Sequence, residues 1–269
     1  FDNLKDSAAA GNVLHVASRV FLKDGNDFLP EFTDNCRLFY DSDPERLNYS
    51  ADAEGLRQHI NYWVENKTDL IMQDFVQPGL FNVNTKSVLA SAMNFKGTWE
   101  SKFDDDLVKQ TRFQMPDGET LHLDLMFQQG VFFTGFSESL GAQYLELPYA
   151  GGQLRMVLLL PTQRAGLSQL ESKLEHLDFR LLHDDIAVNT STSVLMPRFK
   201  MEASHNMKDI LKALGANHVH LTVQPDHAEY TYTQDITHIL HRSALEVDKD
   251  GYDGPQPYTK GRQKNKIIT

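Results

Sequence analysis

The residues with the clearest chemical meaning lie near the end of the sequence. A stretch rich in glycine and proline, Gly251 to Tyr258, is followed by four basic residues, Lys260, Arg262, Lys264 and Lys266. Trypsin-like proteases cut after Lys or Arg because an acidic pocket binds the cation, and glycine and proline favour exposed turns. The pattern indicates a loop that such a protease could cut, although a solvated charged tail has the same composition.

Three other groups of residues could carry chemistry, and each falls short of a site. Gly135 to Ser139 begins like the nucleophile elbow of a hydrolase but ends in serine instead of glycine. His218, His220 and His227 resemble zinc ligands, but no fourth ligand lies at a usual spacing. Cys36 is the single cysteine, which fits a core or surface thiol better than a nucleophile. The sequence therefore predicts no catalytic residue, no metal and no cofactor.

Composition and charge narrow the class of protein. The 269 residues are 41% hydrophobic and 10% aromatic, as expected of a packed globular core. The net charge of -11 argues against broad binding to nucleic acid or to anionic membranes. No apolar run approaches the roughly 20 residues of a membrane-spanning helix. We therefore expect no nucleic-acid partner and no membrane partner.

The sequence gives mixed signals about the cellular compartment. A single cysteine allows no intramolecular disulfide, which is typical of a reducing compartment. Three N-glycosylation triplets, which begin at Asn48, Asn66 and Asn189, instead favour secretion if they are exposed.

Periodicity predicts mixed helices and strands that must position these residues. Alternation from Val13 to Leu22 predicts a strand, and apolar spacing from Leu56 to Val64 predicts a helix. The apolar stretch from Ser87 to Phe95 predicts a strand that is buried on both faces. We predict a hairpin from Tyr144 to Leu160 and a last strand from Ile239 to Val247.

Local signals predict where helices begin and where strands break. Ser168 with Glu171 forms a capping box, and Ser204 is the predicted cap of a later helix. Gly130 is expected to break a strand, and Asp104 to Asp106 is expected to form a solvated turn. Because no flexible linker divides the chain, we predict one domain over residues 1–269.

Four segments, in order, resemble the serpins, a family of serine protease inhibitors. Ser91 to Trp99 matches the Asn-Ala-x-x-Phe-Lys-Gly-x-Trp block except at its first residue, and Leu145 to Tyr149 carries the Leu-Pro-Tyr hairpin. The other two segments are Met196 to Lys200 and His241 to Val247, and Gly251 matches the hinge glycine of the family. The resemblance implies an α+β serpin fold with three β-sheets and surrounding helices, in which residues 251–269 form the reactive loop.

The resemblance also implies that segments are missing at both ends. Serpins carry a group of helices before the position of Phe1 and strands after the position of Thr269. We therefore expect a truncated chain, monomeric but with a risk of polymerisation or aggregation through exposed apolar surface. The resemblance further implies an extracellular, secreted protein, since most serpins are secreted.

The predicted loop departs from what serpin inhibition requires. In the family, a protease cuts the loop, becomes acylated by it and is distorted when the loop inserts as a central strand of the large sheet. Insertion needs small inward residues and an N–H at each position. Here Tyr252 and Gly254 begin the inward set, and Pro255 and Pro257 cannot donate hydrogen bonds. We therefore predict weak or no inhibition.

The hinge and the predicted sheet gate differ from the family as well. Lys249, which precedes Asp250 in the hinge, replaces the family's usual Glu, so its expected partner Arg198 would carry the same charge. Ser91 replaces a buried Asn of the gate, whereas His241 keeps the gate histidine. Ordinary core packing explains Ser91 and His241 equally well.

Three functional hypotheses remain. The favoured one is a serpin-fold protein that is cleaved as a substrate near Asn265, between Lys264 and Lys266, or that acts as a binding or decayed member. The alternative is a working suicide-substrate inhibitor of a trypsin-like serine protease. A hydrolytic enzyme is the least supported hypothesis, and we predict that the protein is not an enzyme.

Overall fold

The computed structural model describes residues 11–47, 52–115, 118–163, 165–175, 177, 188–216 and 219–251. It is an α+β protein with three β-sheets and surrounding helices, as predicted. Contacts divide the chain into two compact units. One is built mainly from Lys96–Lys200, and the other mainly from Leu14–Phe95 and Met201–Leu245. Both are discontinuous in sequence, so no single cut in the chain separates them.

The largest sheet of the second unit has the strand order β10-β13-β4-β1-β3. Its strands are β1 (Val13–Lys23), β3 (Glu45–Leu47), β4 (Ser87–Lys96), β10 (Phe199–Asn206) and β13 (His238–Val247). β13 lies parallel to β4, and β1 lies parallel to β3. The predicted strands at β1, β4 and β13 are confirmed.

A helix, α2 (Ala53–Lys67), covers one face of this sheet. The preceding helix, α1 (Pro30–Tyr40), instead places Phe32 against the core on the opposite face. Asp52 caps α2 by accepting a hydrogen bond from the N–H of Gly55. Leu56, Ile60 and Val64 are buried against the sheet, so the predicted apolar face is confirmed. Burying such side chains stabilises the fold by about 1.5–3 kcal/mol each.

The opposite face of β4 also lies in a core, which confirms burial on both sides. Leu89 packs against a cluster that contains Leu221 and Val223 of the small sheet. That sheet has the order β12-β11-β2 and consists of β2 (Asn26–Phe28), β11 (His220–Pro225) and β12 (Tyr232–Asp235).

The first unit contains the third sheet, with the order β5-β6-β7-β8, and β9 pairs with β6. Its strands are β5 (Asp104–Gln114), β6 (Thr120–Ser137), β7 (Ala142–Pro148), β8 (Arg155–Pro161) and β9 (Val188–Pro197). The predicted hairpin is β7 and β8, which pair antiparallel. The predicted break at Gly130 is wrong, because β9 pairs with β6 from Leu125 to Thr134 and carries the strand through the glycine.

Both predicted helix caps are also wrong. Gly166 is the N-cap of α3 (Leu167–Leu174), and Ser168 lies inside the helix. Asn206 caps α4 (Met207–Ala213) by accepting from the N–H of Lys208, whereas Ser204 lies in β10. Strand β10 continues to Asn206, so helix α4 cannot begin as early as the serine signal suggested.

Candidate functional site

The predicted hinge follows β13 directly, and residues 248–251, here called the hinge segment, are docked on the chain that follows β4. The N–H of Trp99 donates to the carbonyl oxygen of Asp250 at 3.0 Å, and the N–H of Phe103 donates to that of Lys249 at 3.0 Å. The indole Nε1 of Trp99 donates to the carbonyl oxygen of Asp248 at 2.8 Å. These hydrogen bonds hold the hinge backbone in one defined position.

Gly251 has a steric reason to be glycine. Its φ of 105° is a conformation that side chains disfavour, and its N–H donates to the carbonyl oxygen of Asp248 at 3.0 Å. A Cβ added at this position would lie 2.0 Å from the carbonyl oxygen of Gly97. The backbone at the hinge therefore approaches its neighbour too closely for any side chain.

Aromatic side chains form the floor beneath the hinge segment. Trp99 stacks on Tyr149 with ring centroids 4.4 Å apart, and both side chains are buried. Burial raises the pKa of the Tyr149 phenol, which therefore stays neutral at physiological pH. The buried amide of Asn12 braces this region, because it donates to the carbonyl oxygen of Ala150 and accepts from the N–H of Thr98.

A buried carboxylate anchors the hinge segment. Asp248 is only 5% exposed, and its Oδ1 lies 2.6 Å from Nη2 of Arg198. The same oxygen accepts a hydrogen bond from the N–H of Lys249 at 2.6 Å. The arrangement satisfies a charge that would otherwise be unfavourable in the interior.

Two more ion pairs surround the anchor. Nζ of Lys249 binds the carboxylate of Asp105, and Nζ of Lys102 lies 2.9 Å from Oδ1 of Asp250. The hydrogen bond that Lys249 donates to Asp105 holds the pKa of Lys249 above its usual value. The hydrogen bond from Lys102 holds the pKa of Asp250 below its usual value. Both groups are therefore charged at physiological pH.

These contacts correct the predicted repulsion between Arg198 and Lys249. Each cation has its own carboxylate, Asp248 for Arg198 and Asp105 for Lys249, so the two positive charges are not left uncompensated. Sequence reasoning missed both carboxylates. The acidic run from Asp104 to Asp106 is a signal for Asp105, but its composition predicts a solvated turn, whereas Asp105 lies near the start of β5.

The predicted gate residues are in contact with each other. Ser91 on β4 and His241 on β13 are register partners, and Nδ1 of His241 lies 3.2 Å from Oγ of Ser91. The hydroxyl of Ser18 on β1 donates to the hydroxyl of Ser91 at 3.3 Å. Burial, and then His205, lower the pKa of His241. Side chains of three adjacent strands thus meet at Ser91, while their gating role stays a prediction.

Arg242 is a further contact that the sequence did not single out. Its Nη1 donates to the carbonyl oxygen of Gln73 at 2.7 Å, and its Nη2 lies 2.8 Å from Oε2 of Glu202. Arg242 therefore ties β13 to β10 and to the segment that follows α2. Spacing could not reveal it, because Gln73 and Arg242 are far apart in sequence.

The remaining predicted loop residues lie outside the described part of the chain. They are Tyr252, Gly254, Pro255, Pro257, Lys264, Asn265 and Lys266. Their predicted roles in insertion and cleavage therefore stay predictions.

The glycosylation candidates differ in their surroundings. Asn48 lies outside the described residues. Asn66 is exposed at the end of α2, but Thr68 of its triplet is buried and donates its hydroxyl to the carbonyl oxygen of Val64. Asn189 lies on β9 and is exposed together with the rest of its triplet. Of the two described triplets, only the one at Asn189 leaves its hydroxyl residue open to solvent.

The other candidate sites gain no support from the structure. Among the residues described, no group of histidine, cysteine or acidic side chains could hold a metal ion. His218 lies outside them. Among the described helices, none has the length and apolar content needed to cross a membrane.

Comparison with known proteins gives a consistent result. Residues 2–264 match the family profile described as Serpin (serine protease inhibitor). The chain is 33% identical to Serpin B8 of Bos taurus and 30% identical to Serpin B6 of Pongo abelii, and in each case the match covers 89% of this chain. The chain spans 64% of the length of these relatives.

A solved structure supports the same assignment. Uncleaved ovalbumin superposes with a TM-score of 0.77 at 28% identity, covering 90% of this chain and 66% of that one. The fold and the sequence match agree, and the chain belongs to the serpin family.

Proposed function

We propose that this serpin is cut in its reactive loop by a trypsin-like serine protease and released as a cleaved substrate, without trapping the protease. The coarser part of the proposal, a serine protease as partner, is supported by membership of the family. The finer part, failure to inhibit, rests on the chemistry of the hinge and of the sheet that the loop would have to enter.

The observation that carries the proposal is the uninterrupted pairing of β4 with β13. The ladder runs along β13 from His238 to Leu245 without a gap. A strand that enters between β4 and β13 must break this ladder and form two new ones. Pro255 and Pro257 lack the N–H groups that the new ladders need.

Several residues of the loop make the free energy of insertion less favourable. A buried carbonyl left without a donor costs about 1–3 kcal/mol, and two prolines create two such defects. Tyr252 would enter a packed core at the start of insertion, at a cost of about 1–3 kcal/mol. Together these terms oppose insertion by roughly 3–9 kcal/mol. Hydrolysis of the acyl-enzyme is then expected to finish before the loop could insert.

Incubation with trypsin tests the proposal. We expect cleavage between residues 260 and 266, no protease complex that survives boiling in detergent, and no rise in melting temperature after cleavage. A triple variant, Tyr252→Thr with Pro255→Ala and Pro257→Ala, should gain thermal stability when it is cut, because its loop can pair within the sheet. A detergent-stable complex with the unmodified protein would refute the proposal and support an inhibitor.

We also propose that the protein is secreted and glycosylated, and the exposed triplet at Asn189 supports this. Expression in a secreting eukaryotic cell should give a product whose mass falls after treatment with an N-glycosidase. The variant Asn189→Gln should lose that shift, whereas Asn66→Gln should change it little because Thr68 is buried. A secreted product with no glycosidase-sensitive mass would contradict glycosylation, and retention inside the cell would contradict secretion.

A further inference from the structure

We propose that the ion pair between Lys249 and Asp105 masks a second trypsin-type cleavage site, at the Lys249–Asp250 peptide bond in the hinge. The inference rests on the proposed function, because it takes a trypsin-like protease as the partner. It adds a regulated site upstream of the basic tail, where cleavage would separate the whole loop from β13.

The masking is visible in the contacts of Lys249. Its ammonium binds Asp105 and lies 3.8 Å from Oδ2 of Asp250, and its carbonyl oxygen accepts the N–H of Phe103. A trypsin-like protease needs the cation free for its acidic pocket and the carbonyl free for attack. In the docked hinge, neither group is available.

The pairs around the hinge segment differ in exposure, which predicts the order in which they open. Asp105 and Lys102 have side chains that are 61% and 58% exposed, whereas the side chain of Asp248 is 6% exposed. Salt screens exposed pairs strongly and buried pairs weakly. We therefore expect salt to loosen Lys249 and Asp250 first, while Asp248 stays bound to Arg198.

Once the pair opens, the chemistry is ordinary peptide hydrolysis. The protease serine attacks the carbonyl carbon of Lys249, and the peptide bond to the nitrogen of Asp250 breaks as that nitrogen takes up a proton. Water then hydrolyses the acyl-enzyme, so that Lys249 ends in a carboxylate and Asp250 begins with an amine. No other reactant is needed.

The test compares Asp105→Asn with Asp106→Asn during trypsin digestion, with mass spectrometry following the fragment that ends at Lys249. Asp106 is a matched control, because it is exposed, belongs to the same acidic run and carries the same charge. At low salt, Asp105→Asn should form the fragment about two- to fivefold faster than either the unmodified protein or Asp106→Asn. At about 1 M salt, where the Debye length is about 3 Å, this difference should shrink.

Further measurements separate the possible failures. Lys249→Gln must abolish the fragment, the urea-unfolded protein gives the reference rate for the same bond, and hydrogen exchange at the N–H of Phe103 should accelerate in Asp105→Asn. Equal fragment rates and equal exchange in Asp105→Asn and Asp106→Asn would overturn the masking, even if the tail is cut as proposed. Absence of tail cleavage would instead count against the proposed function, because the fragment that ends at Lys249 is measured separately from cleavage in the tail.

Discussion

Replacing Arg198 by glutamine should destabilise the protein by removing the partner of a buried carboxylate. Breaking a fully buried pair costs about 3–5 kcal/mol. Arg198 is 36% exposed and Asp248 keeps the N–H of Lys249, so water and the backbone recover part of this free energy. We therefore expect a loss of about 2 kcal/mol in the free energy of unfolding, or about 4–8 °C in melting temperature for a chain of this size.

Urea unfolding followed by circular dichroism measures this loss. The double variant Arg198→Gln with Asp248→Asn should recover about half of it, because an amide in place of the carboxylate leaves no buried charge. Arg37→Gln is the control. Its partner Asp43 is exposed, so the free energy of unfolding should hardly change.

Two outcomes would refute the reasoning about the anchor. The first is equal stability of Arg198→Gln and Arg37→Gln, which would mean that Asp248 needs no cation. The second is that the effects of Arg198→Gln and Asp248→Asn add without coupling, which would mean that the two side chains do not interact in solution.

Three further predictions concern other parts of the chain. Burial, and then the charge of Lys208, lower the pKa of His238 in the folded state. The unfolded state then binds the proton more readily, so the free energy of unfolding should fall as the pH drops below the unfolded-state pKa of 6.5. In His238→Phe, the melting temperature should fall less between pH 8 and pH 5. Gly251→Ala should cost about 3 kcal/mol or more in urea unfolding, because its Cβ meets backbone, whereas Gly79→Ala, at a similar φ with open space, should cost about 1 kcal/mol. Asn61→Leu should cost about 2–4 kcal/mol, because the buried amide makes two hydrogen bonds to the segment after α2. Unchanged pH dependence in His238→Phe, equal losses in the two glycine variants, or full stability of Asn61→Leu would contradict the respective argument.

Periodicity predicted the elements whose side chains face a core. The strands β1, β4 and β13 and the helix α2 follow from it, because burial on one or both faces leaves a pattern that short windows of sequence can reveal. The predictions of the helix caps were wrong because residue type alone does not decide where a helix begins. Ser168 and Ser204 have the right chemistry for a cap, but pairing and packing elsewhere in the fold decide which residue ends the preceding segment.

At the hinge, some features follow from the sequence and others only from the tertiary structure. The sequence by itself determined the family, the glycine at position 251 and the two prolines that follow, because residue type alone decides whether a backbone can turn or donate. Only the tertiary structure decided that Asp248 neutralises Arg198 and that Asp105 neutralises Lys249. Asp105 and Lys249 are 144 residues apart, and no local pattern specifies which charges meet when the chain folds back over such a distance.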